Sequence, residues 1–149
     1  MAATGAKIGK KTTFEKEDPV GSGTYVPVAE VKSLGGPSMS RDAVDATNFD
    51  SPDDYEEPIP GLKKGGEVSL VLNFRPDHTS QGSSAGLLKD FEDGTTRTWR
   101  VMWPQFPNSP SLTFPGWISG WEPTSATKDL LTVAVKVQVV GKPTPQGMA

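Results

Sequence analysis

The 149-residue sequence has no cysteine and a single histidine, His78. Without thiols there is no disulfide framework, no thiolate zinc site and no cysteine nucleophile. One imidazole cannot supply a two-histidine metal set. Hydrophobic residues make up only 34% of the chain, and none of their runs approaches the ~20 residues a bilayer-spanning helix needs. The start, Met1-Ala2-Ala3-Thr4-Gly5, lacks a basic head followed by an apolar stretch. A cytosolic product without a membrane anchor is therefore expected. Positive charge is not in excess either, with 15 Lys and Arg against 18 Asp and Glu. A net charge of −3 gives no general attraction for phosphate backbones, so tight nucleic-acid binding is not expected.

What is abundant is glycine and proline, 16 and 14 residues. About a fifth of the chain is therefore turn-forming, a composition that suits short strands joined by turns rather than helices. One domain over residues 1–149 is expected. Residues 1–14, with Lys7, Lys10 and Lys11, read as a flexible arm or an edge strand. Thr24 to Val31 is a short extended run whose Pro27 suits an edge. After the Gly35-Gly36-Pro37 turn, Ser38 to Thr47 reads as a polar, two-sided strand.

Period-two alternation is strongest further on. Val68, Leu70, Leu72 and Phe74 share one face of a strand, and Trp99, Val101 and Trp103 share one face of another. Leu112, Phe114, Gly116 and Ile118 face one way while Trp117, Ser119 and Trp121 face the other, with Gly116 and Gly120 permitting a bulge. In the last strand, Asp129 to Val140, the inward set is Leu131, Val133, Val135, Val137 and Val139. One short helix, at about residues 84–93, is expected between them, capped by Ser83 or Ser84 and stopped by Gly94. Its Leu87, Leu88 and Phe91 should pack on a sheet. Residues 141–149 read as a short polar tail. These elements predict a mainly β fold, an antiparallel β-sandwich or partly closed barrel with one helix.

The chain between residues 48 and 66 follows no period. It holds three prolines, three glycines and five acids, with Phe49, Tyr55, Ile59 and Leu62 isolated among them. A structureless stretch this long inside a domain is usually functional or disordered, and a solvated linker has no use for such side chains. They read as anchors for another surface.

Catalytic chemistry finds little to work with. His78 could act as a base for Ser80, but it sits in a polar turn where a solvated role is the simpler reading. Asp50, Asp53, Asp54, Glu56 and Glu57 could offer oxygen ligands to calcium, yet their spacing does not match the twelve-residue calcium loop. Trp99, Trp103, Trp117 and Trp121 could stack on sugars, although aromatics at this spacing more often serve a core or an interface. Gly61 to Gly66 leads into a strand, so it lacks the helix N-terminus of a phosphate loop. No catalytic, metal or cofactor site is expected. A non-catalytic carbohydrate-binding or virion-decorating β-domain is the alternative reading.

Taken in order, several segments resemble the tail tube (major tail) proteins of long-tailed, non-contractile bacteriophages. They are Gly35 to Asp42 with Asp45-Ala46-Thr47, Tyr55 to Val68, Leu87-Leu88 with Phe91 and Asp93-Gly94, Trp103-Pro104, Phe114 to Ser119, and the strand closing in Gly141-Lys142-Pro143. The resemblance covers roughly residues 24 to 143. It implies a structural subunit that forms hexameric rings stacked as a hollow tube in the virion tail, assembled in the host cytoplasm. Its implied partners are itself, the tape-measure protein, tail terminator and tail tip proteins, and DNA in transit without tight binding. Interfaces then replace catalytic sites, and the residues expected to carry them are Phe49, Tyr55, Ile59 and Leu62 in the loop and Lys10 and Lys11 in the arm.

Overall fold

The computed structural model describes residues 4–149; Met1, Ala2 and Ala3 of the expected arm lie outside the described residues. Ten strands and one α-helix follow in chain order: β1 (Thr13–Glu17), β2 (Tyr25–Pro27), β3 (Val31–Gly35), β4 (Ser40–Asp45), β5 (Pro58–Lys64), β6 (Glu67–Asn73), α1 (Leu87–Asp93), β7 (Arg97–Met102), β8 (Ser111–Thr124), β9 (Thr132–Val139) and β10 (Thr144–Gln146). The main sheet is antiparallel with order β2-β1-β7-β8-β9-β6-β3, and β10 pairs with β8; β4 and β5 form a separate two-stranded sheet. The mainly β, antiparallel reading with one helix is correct.

The edge strands β2 and β3 are joined by residues 28–30 alone, so the sheet must curl until its two edges nearly meet. They do not pair, and the barrel stays open. Gln81, fully buried, ties the 28–30 connection to the end of β6: its Nε2 donates to the carbonyls of Ala29 (3.1 Å) and Asn73 (3.0 Å), and its Oε1 accepts from the Arg75 N–H (2.9 Å). Ser80 adds to this tie by accepting from the Ala29 N–H at 3.2 Å.

Inside the curl, Val68, Leu70 and Leu72 of β6, Trp99 and Val101 of β7, Phe114 and Ile118 of β8, and Val133, Val135, Val137 and Val139 of β9 form one buried cluster. This is the alternation read from the sequence, with an exception at each of two strands. Leu131 precedes β9 and is exposed. Trp121 returns to the core side because β8 carries an extra residue between Ile118 and Gly120; it then pairs with Val135 and meets Phe74 edge to face at 5.6 Å. The bulge expected near Gly120 is what reverses the face.

Strand β1 takes Thr13 and Phe14, the last two residues of the expected arm, into the sheet, where Phe14 is 1% exposed and stacks on Trp99 at 5.4 Å. Its charged residues are buried as well. Glu15 pairs with Arg100, whose guanidinium lies 4.2 Å over the Tyr25 ring. Lys16 reaches Asp90 of α1 at 3.5 Å and the Ala85 carbonyl at 2.7 Å, while Arg97 holds the other oxygen of Asp90 at 2.6 Å. Glu17 accepts the N–H groups of Gly21 (2.6 Å) and Gly23 (3.2 Å), closing the β1–β2 turn.

These charges also reorient α1. It begins at Leu87, with Gly86 as N-cap and no side-chain cap from Ser83 or Ser84. A Cβ at Gly86 would lie 2.3 Å from the Gly82 N, which explains why glycine stands there. The buried face is Leu87 and Asp90; Phe91, expected inside, is 41% exposed. Gly94 ends the helix in the left-handed conformation, as read. The tail beyond residue 140 contains β10, which pairs Thr144 to Gln146 with Thr113 to Ser111.

Candidate inter-subunit surface

Strands β3 and β6 continue as β4 and β5 without changing register: Gly35 stands opposite Ser69, and Ser40 opposite Lys64. The outer half therefore leaves the sheet as a projecting hairpin. Residues 58–64, expected to be irregular, form its second strand. Seven strand residues reach roughly 20 Å, and the loop at residues 46–57 extends further.

Its root is fixed by backbone hydrogen bonds. The Ser38 N–H donates to the Glu67 carbonyl at 3.1 Å, and the Gly66 carbonyl accepts from the Val139 N–H at 3.0 Å and the Gln138 amide at 3.1 Å. Gly66 has a φ of +71° and passes so close to Ser38 that any Cβ would overlap its carbonyl oxygen. The tip is also ordered from within. The Asn48 side chain accepts from the Asp50 N–H (2.8 Å), Ser51 donates to Glu57 (2.6 Å), and the Glu57 N–H donates to the Thr47 hydroxyl (2.9 Å). Hydrogen bonds from Thr47, hydroxyl first and backbone N–H second, hold the Asp45 carboxyl below its usual range.

Every residue of β4 is exposed, and in β5 only Gly61 is even half-buried. Phe49 and Tyr55 stand free at the tip, Ile59 pairs with Val44 on the shaft, and Leu62 is 82% exposed where β5 carries one extra residue opposite β4. The four expected apolar anchors thus share one hairpin and touch none of the core. Exposed apolar side chains gathered on one projection make the hairpin the candidate interaction surface.

Lys10 and Lys11 belong to another segment. The Gln105 side chain donates to the Ile8 carbonyl and the Thr12 hydroxyl, each at 3.2 Å, so residues 8–12 lie against the loop between β7 and β8. Both lysines remain exposed there. Lys10 lines an open cleft with β3, Val101 and Trp103.

The other candidate chemistries meet specific obstacles. His78 Nδ1 accepts the Ser80 N–H at 3.1 Å and lies 2.9 Å from a Ser80 hydroxyl that is buried at the barrel seam. The pair secures a turn. Among the described residues, no group of three or more His, Asp or Glu is placed to hold a metal ion. The tryptophans do not form a common platform: Trp99 is fully buried with its indole N–H on the Gly116 carbonyl at 2.9 Å, Trp103 and Trp121 are partly buried against the core, and Trp117 faces outward. Gln81 and the Lys16–Asp90–Arg97 cluster, central to the fold, carried no pattern a sequence reading could recognise.

Residues 9–146 match a family model described as lambda phage tail tube protein. No curated protein is significantly similar to the sequence. Among solved structures, the tail of an empty gene transfer agent particle, refined helically with C6 symmetry, aligns with a TM-score of 0.78 at 17% identity, covering 95% of this chain and all of that one. The sheath/tube terminator of an extracellular contractile injection system aligns at 0.70 and 10% identity, covering 98% and 100%. The SPP1 tail tube aligns at 0.66 and 13% identity, covering 93% and 76%. At such identities these likenesses speak to the fold.

Proposed function

The chain belongs to the lambda phage tail tube protein family, and from that premise we propose that it is a structural subunit which polymerises as stacked hexameric rings into the hollow tube of a phage tail. The observation that carries this reading is the projecting hairpin, ordered at its tip, anchored at its root, and bearing Phe49, Tyr55, Ile59 and Leu62 away from its own core. A few such anchors, aromatic ones above all, usually carry most of an interface's energy, at about 2 kcal/mol or more each on truncation. The C6 symmetry of the gene transfer agent tail supports a six-membered ring.

The tube is completed in the host cytoplasm around a tape-measure protein and bounded by terminator and tip proteins; DNA passes through it without tight binding, in keeping with a net charge of −3. Lys10 and Lys11 add a second, polar contact between rings. No catalytic step belongs to this role. The test is to replace residues 48–57 by a two-residue turn and examine both proteins by sedimentation and negative-stain microscopy. Loss of tubes with an unchanged circular dichroism spectrum is expected. Tubes of normal yield from the shortened chain would refute the role given to the hairpin tip, and a parent chain that forms neither rings nor tubes would refute the tube assignment.

A further inference from the structure

Charge is distributed unevenly along the hairpin. Asp50, Asp53, Asp54, Glu56 and Glu57 crowd its tip. At its root Met39, Arg41, Lys63, Lys64, Lys142 and Pro143 line an open cleft of about 550 Å³. Arg41 and Lys63 stand directly opposite one another across β4 and β5, an arrangement of like charges that destabilises a strand pair. Lys64 is partnered by Asp42 at 3.3 Å, but among the described residues neither Lys63 nor Lys142 has a carboxylate within ion-pairing distance. A hairpin that gathers cations at a cost to itself calls for an anionic occupant, and Met39 and Pro143 provide apolar surface beside the charge.

The same chain carries such an occupant but cannot deliver it to itself. The hairpin holds tip and root roughly 20 Å apart, and hydrogen bonds fix both ends. We propose that the cleft at the root receives the acidic tip of the hairpin from a second copy, head to tail, with Phe49 or Tyr55 seated against Met39 and Pro143. Because the two patches differ and lie at opposite ends of one projection, the contact is heterologous. In this head-to-tail arrangement each copy that donates a tip still offers its own cleft to a further copy, so the contact propagates, as a ring or as a filament according to its rotation. This rests on the reading of the hairpin as a subunit contact and adds the surface that receives it.

The test uses three full-length variants. The cleft variant carries Lys63→Glu with Lys142→Glu, the tip variant Asp50→Lys with Glu56→Lys, and the third carries all four changes. Lys63→Glu places a carboxylate opposite Arg41, so the cleft variant should unfold at the same temperature as the parent or higher when both are compared unpolymerised. A merely structural role for these lysines predicts the reverse. Polymerisation, followed by sedimentation and microscopy, should fall in the cleft and tip variants, with a critical concentration about tenfold or more above that of the parent, and recover in the four-fold variant, where complementarity is restored. A cleft variant that polymerises as the parent does overturns the proposal and leaves the tube reading intact; if it has also lost binding to a short DNA duplex, the cleft belongs to phosphate backbones. Failure of the four-fold variant to recover overturns it too. A parent chain that forms no polymer removes the tube reading and the proposal together.

Discussion

Replacing Asp90 by alanine should be among the costliest single changes in the chain. Its carboxylate lies between Lys16 at 3.5 Å and Arg97 at 2.6 Å, with all three side chains less than a tenth exposed. Removing it leaves two cations in the interior whose remaining partners are the carbonyls of Ala85 and Glu17, each at 2.7 Å. A buried pair broken on one side costs about 3–5 kcal/mol, mostly the penalty of the stranded charge. For a chain of this length that corresponds to a fall in Tm of roughly 10 °C. Denaturant unfolding of unpolymerised protein at neutral pH, followed by circular dichroism, measures it. The reasoning has a second arm: Lys16→Met, Asp90→Leu and Arg97→Met together strand no charge and should lose much less than Asp90→Ala alone. A loss below about 1 kcal/mol for Asp90→Ala would refute the view that this carboxylate neutralises the interior under α1.

Along the same helix, Leu87→Ala should cost about 2–5 kcal/mol and Phe91→Ala under about 1 kcal/mol, because only the first empties a buried site; equal losses in chemical denaturation would contradict the helix orientation. Gly66→Ala must relieve both its positive φ and the overlap with Ser38, so the hairpin root should loosen, seen as faster amide exchange at Ser38 and Val139; unchanged exchange rates would refute the tight approach. Tyr25 should ionise above the ordinary tyrosine value, since burial disfavours the phenolate and Glu17 opposes it further. An alkaline absorbance titration compared with that of Tyr25→Phe isolates its step, and a step at or below the ordinary value would refute this.

Legibility followed the origin of each element's partners. Strands β6, β7, β8 and β9 each set one face against the shared core, and period two exposed them, misleading only beyond the bulge at Trp121 and at Leu131. Strand β1 was hidden because its polar side is buried too: nothing local marks Glu15, Lys16 and Glu17 as buried, and their partners are Arg100, Asp90 and the Gly21 and Gly23 amides. Those partners are distant in sequence or belong to a loop backbone, and no local period encodes them. Phe91 misled for the complementary reason, since apolar spacing favoured it while the buried cations drew Asp90 inward. Gln81 could not stand out in a turn-rich link whose role appears only once the sheet has curled.

The hairpin shows the opposite relation between pattern and partner. Its residues carry neither the alternation of a strand packed on its own core nor the composition of a linker, because its shaft is exposed on both faces while Val44, Ile59 and Leu62 remain on it. The irregular text between residues 48 and 66 therefore singled out the projecting segment while concealing the regular strand Pro58–Lys64. A segment ordered by its own hydrogen bonds, and apolar where its own domain offers nothing to cover it, has a sequence consistent with a partner outside the chain. Lys63 and Lys142 at its root, without a carboxylate partner among the described residues, and the acids crowded at its tip fit the same account, since each is a local conflict within one copy that a second copy would resolve.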